Sequence, residues 1–154
     1  MAARPGMRFN IEFDEWFPQG AFIVGDVTAV TEYQSQEDKQ RNKPLRPRID
    51  EASGLPVFRV TLADPSAEKD RDKSVTVEIA AKVQPVPPAA LPGTPFRPVV
   101  LEGLTIQPRA EASGQAKWIT YVVRATGMRP VDAGGTVKAS SPSSDAGKTS
   151  AKAA

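Results

Sequence analysis

Polar and apolar residues alternate along much of this chain at the period of a β-strand. Phe9-Asn10-Ile11-Glu12-Phe13 places an apolar side chain at every second position, the spacing that lines one face of a strand. Lys73-Ser74-Val75-Thr76-Val77-Glu78-Ile79-Ala80 repeats the pattern, with Val75, Val77 and Ile79 on one face. Phe58, Val60 and Leu62 share a face as well, which leaves Val57, Arg59 and Thr61 on the other. Strand-like stretches rich in Val, Ile, Thr or aromatics lie at about 21–33, 56–63, 74–81, 97–107 and 117–126, separated by Gly, Pro or charge clusters. Trp118-Ile119-Thr120-Tyr121-Val122-Val123 is the strongest β-forming run near the C-terminus, and alternation puts Trp118 and Tyr121 on opposite faces. No segment holds an apolar stripe at helical spacing for three turns, and 15 prolines oppose long helices. Pro65–Asp72 reads as a charged connector. The expected fold is all-β, a small OB-like barrel of five or six strands with one long early loop.

At 154 residues the chain suits one domain. Residues 1–8 form a flexible N-terminus in this reading, residues 9–130 the barrel, and residues 131–154 a disordered tail of Ala, Ser, Gly and Lys. The tail has no aromatic residue, so it lacks the apolar surface needed to offset the entropy of ordering. Met7 stands just before the first patterned segment, which makes it a second candidate start beside Met1. Residues 84–98 include six prolines, so this stretch is extended and stiff. It reads as a rigid connection between two strands, or as a docking strip for an aromatic groove.

Composition removes several kinds of chemistry. The chain has no Cys and no His, which excludes disulfides, thiolate or imidazole nucleophiles and the common zinc ligand sets. Its carboxylates sit in expected turns, as at Asp14-Glu15 and Asp50-Glu51, or among cations, as at Glu68-Lys69-Asp70-Arg71-Asp72. No Gly-rich phosphate loop of the Walker type occurs outside the expected tail. The expectation is a protein with no catalytic residues, no metal and no cofactor. No apolar run reaches the ~20 residues that span a bilayer, so a cytoplasmic protein without membrane contact is expected. Net charge is +2 and the pI about 9.0, too mild a field for nucleic-acid binding unless the charge is local.

It is local. Lys39-Gln40-Arg41-Asn42-Lys43-Pro44-Leu45-Arg46-Pro47-Arg48 holds five cations and no acid. The functional reading is a loop that tracks phosphates; the plain alternative is a solvated connector. Tyr33 ends the strand before the loop, Phe58 lies on the strand after it, and Trp118 is on the last strand. These three are the expected stacking residues, each with the alternative of packing in the core. Arg59 points outward beside the loop and joins Lys39, Arg41, Lys43, Arg46 and Arg48 as an expected phosphate contact. No helix-turn-helix segment is evident, so duplex readout by that motif is not expected.

Several stretches together resemble a known family. They are Phe17–Val27, Asp50–Phe58, Val83–Pro88, Pro95–Val99 with Glu102–Thr105, and Arg124–Arg129. The set resembles the plasmid replication, integration and excision activators of actinobacterial integrative conjugative elements, over roughly residues 9 to 130. The resemblance implies an accessory DNA-metabolism protein that promotes replication, excision or transfer of its element. Its expected partner is DNA, most naturally single-stranded, with the element's replication initiator, helicase or recombinase as further partners. An adaptor that activates one of those proteins without binding DNA is the alternative. Strand order and loop placement are also similar to small OB-fold processivity proteins of other conjugative elements.

Overall fold

The computed structural model describes Arg4 and residues 6–132, and the expected tail after Asp132 lies outside the described residues. The all-β expectation holds. Eight strands, β1 (Phe9–Asn10), β2 (Ala21–Ala29), β3 (Val57–Ala63), β4 (Ser74–Ala80), β5 (Arg97–Glu102), β6 (Thr105–Ser113), β7 (Ala116–Ala125) and β8 (Gly127–Pro130), form one sheet. Its order is β1-β6-β7-β4-β3-β2-β5-β8, and it curls into a half-barrel. Two short helices, α1 (Phe13–Trp16) and α2 (Gln36–Gln40), and a 3-10 turn at Asp70–Asp72 complete the described structure. Among the described residues no helix is long and apolar enough to cross a membrane.

Two units build the curl. The first is an antiparallel meander, β2-β3-β4, in which β3 pairs along its whole length with β4 from Val57↔Ala80 to Ala63↔Ser74. The second is a long two-stranded ribbon. Its first half is β5 against β8, ending at Glu102↔Gly127; its second is β6 against β7, starting at Thr105↔Arg124. The ribbon kinks between those pairs. Gly103 takes φ +60°, and a Cβ added there would collide with the Thr126 side chain, so only glycine fits both the left-handed backbone and the close approach. The kink lets β5 pair with one side of the meander, at Ala21–Ile23 of β2, while β7 pairs in parallel with β4 on the other side. The parallel contact is brief, Val77–Ile79 with Val123–Ala125. Beyond it the β6-β7 hairpin continues to Gly114 without pairing to β4.

The kink accounts for one of the added strands. The sequence pattern suggested one strand over 97–107 and five or six in all, but Gly103 bends that stretch and divides it into β5 and β6, while β8 lies beyond the last expected strand. Residues 9–13 also depart from expectation. Only Phe9 and Asn10 pair, with Ile106 and Thr105, and the chain then turns into α1. Phe17, just after α1, is fully buried, and its ring lies 5.3 Å from that of Phe13. The alternating positions fill the core as their period requires: Phe58, Val60 and Leu62 from β3, Val77 and Ile79 from β4, Val99 and Leu101 from β5, and Val123 from β7. No buried polar or charged residue occurs among the described residues. The Pro-rich stretch is the connection from β4 to β5, held where Gln84 Nε2 donates to the Val27 carbonyl at 2.8 Å.

Gly103→Ala is expected to cost more than the roughly 1–2 kcal/mol of left-handed backbone alone. Adding Thr126→Ala should return the excess by removing the colliding side chain. A urea-denaturation double-mutant cycle measures the coupling; strictly additive losses would show that the two residues do not meet.

Candidate nucleic-acid interface

The basic loop is partly neutralised by its own neighbours. Ser35 caps α2, its Oγ accepting the Asp38 N–H at 3.1 Å, and the first helical turn carries Glu37 and Asp38, a favourable placement for acids. Glu37 pairs with Arg41 at 2.8 Å, and Asp38 pairs with Lys43 at 2.6 Å. The Lys43 bond and the Ser35 hydroxyl hold the Asp38 carboxyl below its ordinary range. Both pairs are exposed, and such pairs contribute little to stability. Among the described residues Lys39 and Arg46 make no ion pair. Tyr33 is 92% exposed and lines an open cleft with Lys43, Pro44 and Arg46. The loop therefore offers one bare aromatic face in a cleft of mixed charge, with Lys43 and Arg46 beside Glu32 and Asp38.

Arg48 behaves differently from the rest of the loop. Its N–H donates to the Val30 carbonyl at 2.8 Å and its carbonyl accepts from Val57 at 3.0 Å, which stitches the loop's end between β2 and β3. Its guanidinium lies over the sheet and donates to Glu78 Oε1 at 2.6 Å. Arg124 takes the other oxygen, Nη2 to Glu78 Oε2 at 2.8 Å, and its Nη1 donates to Asp50 Oδ1 at 2.6 Å. Asp50 also accepts from the hydroxyl and the N–H of Ser53, at 2.7 and 3.1 Å. The result is a chain of alternating charge, Arg48–Glu78–Arg124–Asp50. Burial pushes the Glu78 carboxyl up, but hydrogen bonds from Arg124 and Arg48 outweigh it and leave it below its ordinary value. The Ser53 hydroxyl, with help from Arg124, lowers Asp50 in the same direction against its own burial.

The strand register extends this network across the outer face. Asn10, Thr105, Arg124, Glu78, Arg59 and Thr28 stand opposite one another on successive strands from β1 to β2. Arg59 points outward, as its alternation required, and makes no ion pair among the described residues, since the carboxylate of Glu78 is held by Arg48 and Arg124. Trp118 shares this outer face at the far end of β7 and is 45% exposed. The basic loop enters beside Val57 and Ala80, at the opposite end of β3 and β4. Arg59 and Trp118 are thus spread along the outer face, apart from the loop cleft where Tyr33 meets Lys43 and Arg46. Tyr121, in phase with Val123, turns to the other face, where its ring meets Trp16 edge-on at 5.4 Å.

Phe58 is a correction. It is 8% exposed, inside the core with Val60 and Leu62, so its ring has no free face on which a base could stack. The outward positions that sequence reasoning passed over are Glu78, Arg124 and Arg8. The signal was there in part: Glu78 and Arg124 are charges on the non-core phase of strands whose other phase is apolar. Their meeting across 46 residues of sequence is set by the parallel β4–β7 contact, which no local pattern encodes.

Both carboxylates titrate below their ordinary values in the folded state, so their contribution is complete above the ordinary carboxylate range. It is lost as pH falls through the lowered values. Glu78→Gln should therefore cost about 1–3 kcal/mol at pH 7 and flatten the loss of stability below about pH 4. Urea midpoints at pH 7 and pH 3 check this, and equal acid sensitivity in both proteins would contradict it. No protein-family model matches the chain, and no curated protein or solved structure matches it either, so the interface is read from its own geometry.

Proposed function

We propose that this chain binds single-stranded DNA across the outer face of its sheet, as an accessory protein in the replication, excision or transfer of a mobile element. The observation that carries the reading is the transverse row Arg124–Glu78–Arg59, flanked by the basic loop at one end and Trp118 at the other. In this reading the fold is an OB-like barrel. The meander supplies three strands and the kinked ribbon two long bent ones, with β4 and β7 parallel. Such barrels hold oligonucleotides on the outer face of their second and third strands, between the first loop and the last hairpin. Here those are β3 and β4, the loop of Lys39, Arg41, Lys43 and Arg46, and the hairpin carrying Trp118.

The mechanism is exchange of ion partners. A strand's phosphates displace Glu37 from Arg41 and Asp38 from Lys43, at little cost because both pairs are exposed, and they release counterions as they bind. Tyr33 and Trp118 offer ring faces to bases at the two ends. Arg59 meets the backbone between them. Arg48 is engaged with Glu78 and acts as the strut that holds the loop to the sheet. The second reading, an adaptor to a replication initiator, helicase or recombinase, draws on the exposed side chains of Val83, Val86, Leu91 and Phe96 along the Pro-rich connection. The resemblance noted above motivates both readings.

Fluorescence anisotropy with single-stranded and duplex oligonucleotides at two salt concentrations separates them. Trp118→Ala should weaken single-strand binding by about 1–3 kcal/mol while leaving the fold intact. Replacing Lys39, Arg41 and Lys43 with Ala should reduce the slope of log K against log salt by about 0.7 for each lost contact. A slope unchanged in the triple variant would move the phosphates off this loop, and absence of any oligonucleotide binding would favour the adaptor. Phe58→Ala is the structural control, expected to cost about 3–5 kcal/mol of stability and to affect binding only through unfolding.

A further inference from the structure

Three guanidinium groups gather at one end of the outer face, and two of their donors have nothing to bond. Arg8 lies just ahead of β1, on the phase of Asn10 and next to Gln107 of β6. With Arg48 and Arg124 it lines a cleft of about 790 Å³, whose wall also includes Thr105, Gln107 and Lys82. Two carboxylates bond this group, Asp50 and Glu78, and the bonds described above commit them to Arg48, Arg124 and Ser53; a third, Glu51, lines the same cleft and makes no ion pair with these arginines. Arg8 therefore has no acid of its own among the described residues. Arg8 Nη1 and Arg124 Nε are both buried with no hydrogen-bond partner, and no other buried side-chain nitrogen or oxygen among the described residues shares that condition.

Buried donors are almost always satisfied, and a charged one left bare is costly. Burial lowers the Arg8 pKa and the charge of Arg124 adds to the effect, although Glu78 and Asp50 oppose it. A guanidinium stays protonated under such pressure, so what the group lacks is an acceptor for its orphan donors. An oxyanion answers both donors, because its oxygens accept from two guanidinium edges at once. Both orphan donors are closed to solvent in this arrangement, so anion binding requires the Arg8 side chain to turn Nη1 toward the cleft that it lines. The volume also admits more than a bare ion, being within the range of small-molecule sites.

We propose that this cleft is a phosphate-binding site in which Arg8 and Arg124 are the ligating residues. It lies apart from Lys39–Lys43 and from Trp118, and it does not depend on strand binding, since a free phosphate satisfies the same donors. The test follows the Nε–Hε resonance of Arg124 during titration with inorganic phosphate, against sodium chloride at equal ionic strength. A saturable shift with phosphate alone is expected. Arg8→Gln should weaken it at least tenfold with the melting temperature preserved, because Arg8 gives up no ion pair. Equal response to chloride, or an unweakened Arg8→Gln variant, would overturn the site. A single-stranded oligonucleotide then identifies the source. Displacement of inorganic phosphate assigns the site to a strand's backbone or end, and retention of phosphate on the oligonucleotide complex assigns it to a free phosphate compound. Phosphate binding without oligonucleotide binding would remove the strand reading and keep this site; oligonucleotide binding without a phosphate response would do the reverse.

Discussion

The close approach of Gly103 to Thr126 is the constraint on which the architecture depends. A straight ribbon of this length could pair with only one edge of the β2-β3-β4 meander. Bent at Gly103, it reaches both, with β5 on β2 and β7 on β4. The curl of the half-barrel is therefore held by covalent continuity through Gly103 and Leu104 as well as by hydrogen bonds. Leu104, the residue after the bend, is buried, and its carbonyl accepts from Ile11 at 3.1 Å, so the kink also anchors the chain between β1 and α1. The core residues of β5 and β7, Val99, Leu101 and Val123, face inward from the two arms of one bent element.

That closure also creates the polar network. Glu78 and Arg124 are neighbours only because β7 runs parallel beside β4, and Asp50 reaches Arg124 only because Arg48 fixes the end of the long loop. The outer face thus has two electrostatic regimes. At one end of the outer face, partly buried bonds hold Arg48 and Arg124 as struts. Out on the loop, Arg41 and Lys43 make local pairs with Glu37 and Asp38 that are open to solvent. The distinction separates Arg48 from Arg41 and Lys43, which look alike in sequence.

The strand pattern was legible where alternation met a single buried face. Phe58, Val60 and Leu62, and Val77 and Ile79, all fill the core as their period demanded, and Arg59 points out. Legibility failed where one residue broke a period for three-dimensional reasons. Nothing in Val100-Leu101-Glu102-Gly103-Leu104 separates a glycine tolerated in a strand from one that bends it, because the cause, Thr126, lies 23 residues away. Of the expected site, Arg59 points outward as its phase required and Trp118 faces away from Tyr121, whereas Tyr33, expected to end a strand, lies beyond β2, which stops at Ala29. Phe58 went to the core by the same phase argument that named Val60 and Leu62. The acids that temper the basic loop stand just upstream, at Glu37 and Asp38, and a ten-residue window starting at Lys39 excluded them.

The β6-β7 hairpin hangs on a short hinge. Only three positions of β7 bond to β4, and the remainder, with Trp118 near its end, runs out with one strand to either side of Gly114 and no third strand on the β4 side. Its amides on that side answer to solvent rather than to the sheet. Trp118 therefore stands on an arm that meets the rest of the sheet through Val123–Ala125 and, on its inner face, through the edge-on contact of Tyr121 with Trp16. The half-barrel thus holds its arginines in paired bonds and presents its tryptophan from a strand left unpaired on one side.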